Sequence, residues 1–182
     1  MATTYRICPR SGLQFESQAE KLMIVNAVTA VVVLLVGGIL AIGVVLTRWP
    51  AVHWLAADTF YMVLTAHGID MLIFWIIFFE MAVLIFASST LLRCRLAMPK
   101  LAWVASILMV IGAIMTNVAI FQGESSVMFT SYVPMQAKPH FYLGLILFAV
   151  GALLICFIFL GTLVVAKAEK TYEGSIPLVT FG

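Results

Sequence analysis

Apolar residues along this chain neither alternate nor recur at a helical spacing; they run on without interruption. Met23–Leu46 is 24 residues without a charge, Phe60–Leu92 is 33 with two carboxylates and a histidine, Leu101–Phe121 is 21 and Phe141–Val165 is 25. At about 20 residues per crossing, each run is long enough to span a bilayer as one helix. The pattern predicts an all-α membrane protein: a four-helix bundle over 23–165, between tails over 1–22 and 166–182. The second run would extend roughly 50 Å, so it must tilt or project past the hydrocarbon. The first run is too long for the 7–15-residue core of a cleavable signal, and Glu16 and Glu20 precede it where such a signal is basic. One pair of spans does not repeat the other.

Composition removes the remaining alternatives. The chain has 182 residues, of which 64% are hydrophobic and 10% charged, with a mean hydropathy of +1.14. Soluble domains carry about 45–50% apolar and about 25% charged residues, so the partner that solvates this chain is a lipid bilayer. A net charge of +2, spread in ones and twos, offers no basic stripe and excludes nucleic acid as a partner. Cys8, Cys94 and Cys156 are odd in number and far apart, which excludes a disulfide scaffold.

Lysine and arginine orient the bundle. Arg6, Arg10, Lys21, Arg93, Arg95, Lys100, Lys167 and Lys170 fall on the side of both termini and the middle loop, and only Arg48 and Lys138 on the other. The positive-inside rule then places both termini in the cytoplasm, with 47–59 and 122–140 facing outward. Trp49 and Trp54 stand where an outer aromatic belt is expected, and Trp103 marks the inner side.

Ionisable groups inside a span are costly unless paired or neutral, and so are the first functional candidates. His67, Asp70 and Glu80 all lie in the second run. His67 is roughly 10 Å below the outer surface and is followed by Gly68, which leaves room for a flat macrocycle beside an imidazole. Spacing alone leaves two roles open for it: axial ligand of a haem iron, or hydrogen bond to a carbonyl of a neighbouring helix. Asp70 shares the face of His67 and reads as a protonated or helix-bridging carboxyl rather than a proton relay. Glu80, about 220° around an ideal helix from His67, faces elsewhere and points to a polar group of a partner. Met71, Phe74, Phe78 and Met81 continue a stripe from His67 that fits a porphyrin wall or, more simply, helix packing. Gly37, Gly38, Gly43 and Gly112 read as close helix contacts. His140, at the mouth of the fourth run, is about 10 Å shallower than His67, too great an offset for the two to straddle one iron.

The residues around His67 resemble a known family. Leu64-Thr65-Ala66-His67-Gly68 is similar to the second span of subunit I of the haem-copper oxidases. Glu124-Ser125-Ser126-Val127-Met128-Phe129-Thr130-Ser131-Tyr132-Val133-Pro134 resembles the outer loop between spans three and four in the B-type (ba-type) cytochrome c oxidases. That loop ends there in Tyr-Pro-Pro, and here Val133 replaces the first proline. His140-Phe141-Tyr142-Leu143-Gly144 resembles the start of the fourth span, and Ile176-Pro177-Leu178-Val179-Thr180-Phe181 the approach to the fifth.

The resemblance implies that His67 is one axial ligand of a low-spin haem of b or a type, with Gly68 as the ring-clearance residue. It also places Tyr132 near the haem and the oxygen-access path. It implies a split or truncated subunit I, N-terminal part, that relays electrons toward an oxygen-reducing haem–copper centre in a companion chain carrying the remaining spans. A copper A or cytochrome c-type subunit would donate the electrons, and this chain would bind no copper and be catalytic only within a proton-translocating complex of a prokaryotic plasma membrane. The middle loop Arg93–Lys100 lacks the acidic entry residue of an A-type proton path, which fits the B-type branch or a nitric-oxide-reducing relative. Two further readings compete with this: a non-catalytic accessory or assembly subunit, and a cytochrome holding haem between His67 and His140.

Overall fold

The computed structural model describes residues 5–180 and contains four helices long and apolar enough to cross a membrane. We label them α1 (Ser17–Arg48), α2 (Ala57–Thr90), α3 (Pro99–Phe121) and α4 (Pro139–Glu169). They carry the four apolar runs, each starting a few residues earlier than its run. Glu16 accepts from the Gln18 and Ala19 amides at 3.1 and 2.8 Å, opening α1 six residues before its apolar run. Asp58 in the first turn of α2 complements its dipole, and Pro99 and Pro139 open α3 and α4 where an amide hydrogen would have no partner anyway.

The first tail contains an element the hydropathy pattern did not predict. Strands β1 (Tyr5–Ile7) and β2 (Gln14–Glu16) pair antiparallel, with Arg6 opposite Phe15. Phe15 packs its ring 6.5 Å from Phe86 of α2, and Arg6 forms an ion pair with Glu20 of α1. Three-residue strands are too short to show a hydropathy alternation.

Helix α2 is not uniform. Residues Asp70–Phe74 and Phe86–Thr90 are wide π-type turns. Each such turn holds one residue more than an α-turn, so residues beyond the first are rotated back by roughly 100° relative to an ideal helix. That rotation swings Phe74, Phe78 and Met81 into the core, where they are 0, 0 and 2% exposed. Phe74 meets the Phe148 ring of α4 tilted and Phe78 meets it edge-on, with ring centroids 4.6 and 5.4 Å apart. Of the two roles open to the stripe, helix packing is the one realised by these three residues.

Helices α3 and α4 pack at almost backbone distance. A Cβ on Gly112 would lie 2.5 Å from the Gly144 carbonyl oxygen, and one on Gly151 would lie 2.5 Å from that of Ala105. In lipid, where no hydrophobic force holds helices together, such small-residue seams bring the dispersion contacts that do. Most hydroxyl side chains in the bundle are satisfied locally. Thr29, Thr47, Thr65, Ser88, Thr116 and Thr162 each donate to the carbonyl four residues back. Asn26 crosses from α1 to Ser106 of α3 at 3.1 Å.

Candidate functional site

Helices α1 and α2 meet at Gly37, whose missing side chain is what lets them approach: a Cβ there would lie 2.8 Å from Met71 Sδ and 3.3 Å from Asp70 Cβ. At this contact His67 Nδ1 is 2.9 Å from the Gly37 carbonyl oxygen. A carbonyl only accepts, so Nδ1 carries a proton, and in the neutral ring that leaves the lone pair on Nε2. Nε2 has no hydrogen-bond partner among the described residues and is not sealed in the interior, His67 being half-buried. The two roles that spacing left open for this imidazole are therefore not exclusive. One nitrogen bonds the neighbouring helix, and that bond fixes the ring with the other nitrogen free.

Three residues on, Asp70 is 1% exposed and accepts from Asn117 Nδ2 of α3 at 2.9 Å. Asn117 also donates to the Ala113 carbonyl at 3.1 Å. Asp70 thus bridges helices. Together Asp70 and Asn117 form the floor of an apolar groove of about 580 Å³ between α1 and α3, walled by Val32, Val36, Ile114 and Val118.

The 122–138 loop is clamped onto α2 one turn from His67. Met128 donates its amide to Thr65 Oγ1 at 2.8 Å, and Phe129 lies on Gly68 so closely that a Cβ there would meet Phe129 Cβ at 3.1 Å. The space beside Gly68, read from the sequence as clearance for a macrocycle, holds Phe129. The loop's ends are drawn together by Glu124, 3.7 Å from Lys138 Nζ and 3.9 Å from His140 Nε2. Tyr132, in the same loop, is 70% exposed, and its backbone carbonyl accepts from the Met135 amide.

Other candidates stand apart from this cluster. His53 is exposed in the 49–56 link, and Glu80 is exposed on α2 with no hydrogen bond or ion pair among the described residues. The first wide turn brings Glu80 to about 120° from His67 rather than about 220°. Residues that pattern reading passed over are Thr65, Asn117, Met128 and Phe129. Asn117, an amide inside an apolar run, was the one signal available for them.

The geometry is that of one imidazole fixed by a carbonyl and presented from a transmembrane helix. A family model described as "Cytochrome C and Quinol oxidase polypeptide I" matches residues 21–182. The chain belongs to this oxidase subunit I family. A solved structure described as a cryo-EM structure of a heme-copper terminal oxidase dimer is similar to it, with a TM-score of 0.75 and 25% identity. The match covers 88% of this chain and 28% of that one, so the oxidase-family chain spans less than a third of the relative it resembles. No curated protein sequence matches it. Membership in this family implies haem cofactors. His67 fits such a group on its own chemistry: a neutral imidazole with a proton on Nδ1 bonded to a carbonyl is the form and orientation in which Nε2 ligates iron. Among the described residues, no cluster of three or more His, Cys, Asp or Glu could hold a metal ion.

Proposed function

We propose that this chain is the N-terminal four-span part of a haem-copper terminal oxidase subunit I, closest to the B-type branch, in which His67 is one axial ligand of the low-spin haem. A bound haem would supply one-electron transfer. The chain's own residues then have definable tasks. The Gly37 carbonyl accepts a hydrogen bond from His67 Nδ1–H, which sets the tautomer, raises the basicity of Nε2 and prevents the ring from turning. Asp70, held by Asn117, fixes the wide turn that follows the ligand. Thr65 and Gly68 receive Met128 and Phe129, so that the 122–138 loop covers the flank of the ligand helix and keeps water from it.

The companion polypeptide supplies the second axial ligand and the oxygen-reducing haem–copper centre. A copper A or cytochrome c-type subunit delivers electrons on the side of the 122–138 loop. In this reading both termini face the cytoplasm, which the distribution of Lys and Arg supports, and the membrane is a prokaryotic plasma membrane. Glu80, an uncompensated carboxyl in a membrane span, marks the face of α2 on which companion spans pack. Tyr132, exposed in the loop beside the clamp, belongs in this reading to the region through which oxygen reaches the haems.

The observation that carries the proposal is the His67 Nδ1–Gly37 contact of 2.9 Å, with Nε2 left unpartnered. The test is the reduced-minus-oxidised absorption spectrum of the purified complex carrying His67→Ala. Loss of the low-spin haem band is the expected result, and an unchanged spectrum would remove His67 from the haem.

A further inference from the structure

At the end of the bundle opposite the 122–138 loop, the polypeptide folds back beneath the helices after α4. Thr171 Oγ1 donates to the Leu92 carbonyl at 2.6 Å and Thr180 Oγ1 to that of Ala87 at 3.2 Å, while Tyr172 and Ile176 pack on Leu92, Cys94 and Ala166. Between this return segment and the end of α2 lies a cavity of about 350 Å³, within the range of small-ligand sites. Arg93, Lys170, Thr171, Glu173 and Ser175 line it.

Arg6, Arg95 and Lys138 are paired with Glu20, Glu169 and Glu124, whereas the side chains of Arg93 and Lys170, like those of Arg10, Lys21, Arg48, Lys100 and Lys167, form no ion pair or hydrogen bond among the described residues. What sets Arg93 and Lys170 apart is that they share one cavity, with Glu173 also in its lining. Both also have left-handed backbone, φ 52° and 49°, just past the ends of α2 and α4, a position that ordinarily takes glycine or asparagine. A cation near a helix C-terminus is favoured by the helix dipole, but that effect is served by each residue alone and needs no shared cavity. Backbone that is unfavourable for a side chain, kept at two places that face one polar cavity, is the pattern of a site.

We propose that Arg93 and Lys170 hold a phosphate group, with the Ser175 hydroxyl as a further donor and Glu173 facing any ammonium that the ligand carries. Basic pockets between transmembrane helices on the positively charged side are where lipid headgroups are held, and free phosphate carries the same chemistry. This assignment is independent of the haem reading.

The delipidated full chain in detergent is titrated with dioctanoyl phosphatidylglycerol and, separately, with inorganic phosphate, and binding is read by native mass spectrometry and calorimetry. The wild type should bind one equivalent. Arg93→Gln/Lys170→Gln should weaken binding about tenfold or more, while Arg95→Gln leaves it within about twofold. Binding of the lipid alone assigns a headgroup, and equal binding of inorganic phosphate assigns a soluble ligand; both support the site. The absence of saturable binding of either probe overturns it, as does wild-type affinity in the double glutamine variant. Should that variant not fold, the charge-retaining Arg93→Lys/Lys170→Arg and a salt titration decide. Retained affinity that falls with salt supports the site, and lost affinity in that variant or salt-independent binding overturns it.

Discussion

The two helix seams of this bundle are built on opposite principles. Between α3 and α4, Gly112, Gly144 and Gly151 bring backbone against backbone over three turns, and no ionisable side chain takes part. Between α1 and α2, a single glycine, Gly37, opens the approach, and the contact is polar: a carbonyl to His67, with Asp70 turned toward Asn117. The first seam is a clamp whose tolerance for change is set by sterics. The second positions groups, and its tolerance is set by hydrogen bonds. In a membrane that difference separates a structural contact from a functional one, because polar groups cost free energy in lipid unless something uses them.

The contrast breaks if both seams respond alike to added volume. Gly112→Val places methyl groups into the Gly144 carbonyl and the Phe148 amide, 2.5 and 2.6 Å from the Cβ position. It should destabilise the bundle by about 3 kcal/mol, read as a lowered thermal midpoint in detergent. Gly38→Val, with nothing within 4 Å of its Cβ, should stay within about 0.5 kcal/mol of wild type. On the polar side, Asn117→Leu leaves Asp70 buried without its donor and should cost about 2 kcal/mol, whereas Asp70→Leu/Asn117→Leu should recover most of that loss. A double variant as unstable as the single one would mean that the pair contributes through packing.

Smaller effects sharpen the picture at the loop. Thr65→Val removes the acceptor for the Met128 amide and should cost about 1 kcal/mol, seen as roughly fivefold faster hydrogen exchange of that amide with the helices unaffected. The cysteines give the mildest readout. Burial pushes the Cys94 thiol up to about 11, and its Sγ lies 3.2 Å from the Ser88 carbonyl, so at pH 8 it stays protonated and unreactive. Hydrogen bonds from Ser11 and from backbone hold the Cys8 thiol below its usual range. Alkylation at pH 8 should therefore label Cys8 first and leave Cys94 untouched until the chain unfolds.

Much of this architecture was legible in the sequence because lipid imposes a simple rule: long apolar runs become helices whose lengths can be counted. Gly37 and Gly112 were legible as close contacts for the same reason, since small residues in spans mark approach. What hydropathy could not show was any departure from a straight α-helix. The wide turn at Asp70–Phe74 has no compositional signature, yet it moves Glu80 and sends Phe74, Phe78 and Met81 into the core. Gly68 teaches a related lesson. Its lack of a side chain did signal a close neighbour, but that neighbour is Phe129, 61 residues away in sequence, a pairing no local pattern carries. His67 and Asp70 were found because ionisable residues in a span are few; Thr65 and Met128 were missed because one looks like any helix hydroxyl and the other acts through its amide.

The central claim is that His67 Nε2, fixed by the Gly37 carbonyl, ligates the low-spin haem. It is tested most directly by the absorption spectrum of the complex carrying His67→Gly, recorded with and without added imidazole. The account predicts that the low-spin band disappears and returns as imidazole fills the space left by the ring. A band that persists in the variant without imidazole would contradict it.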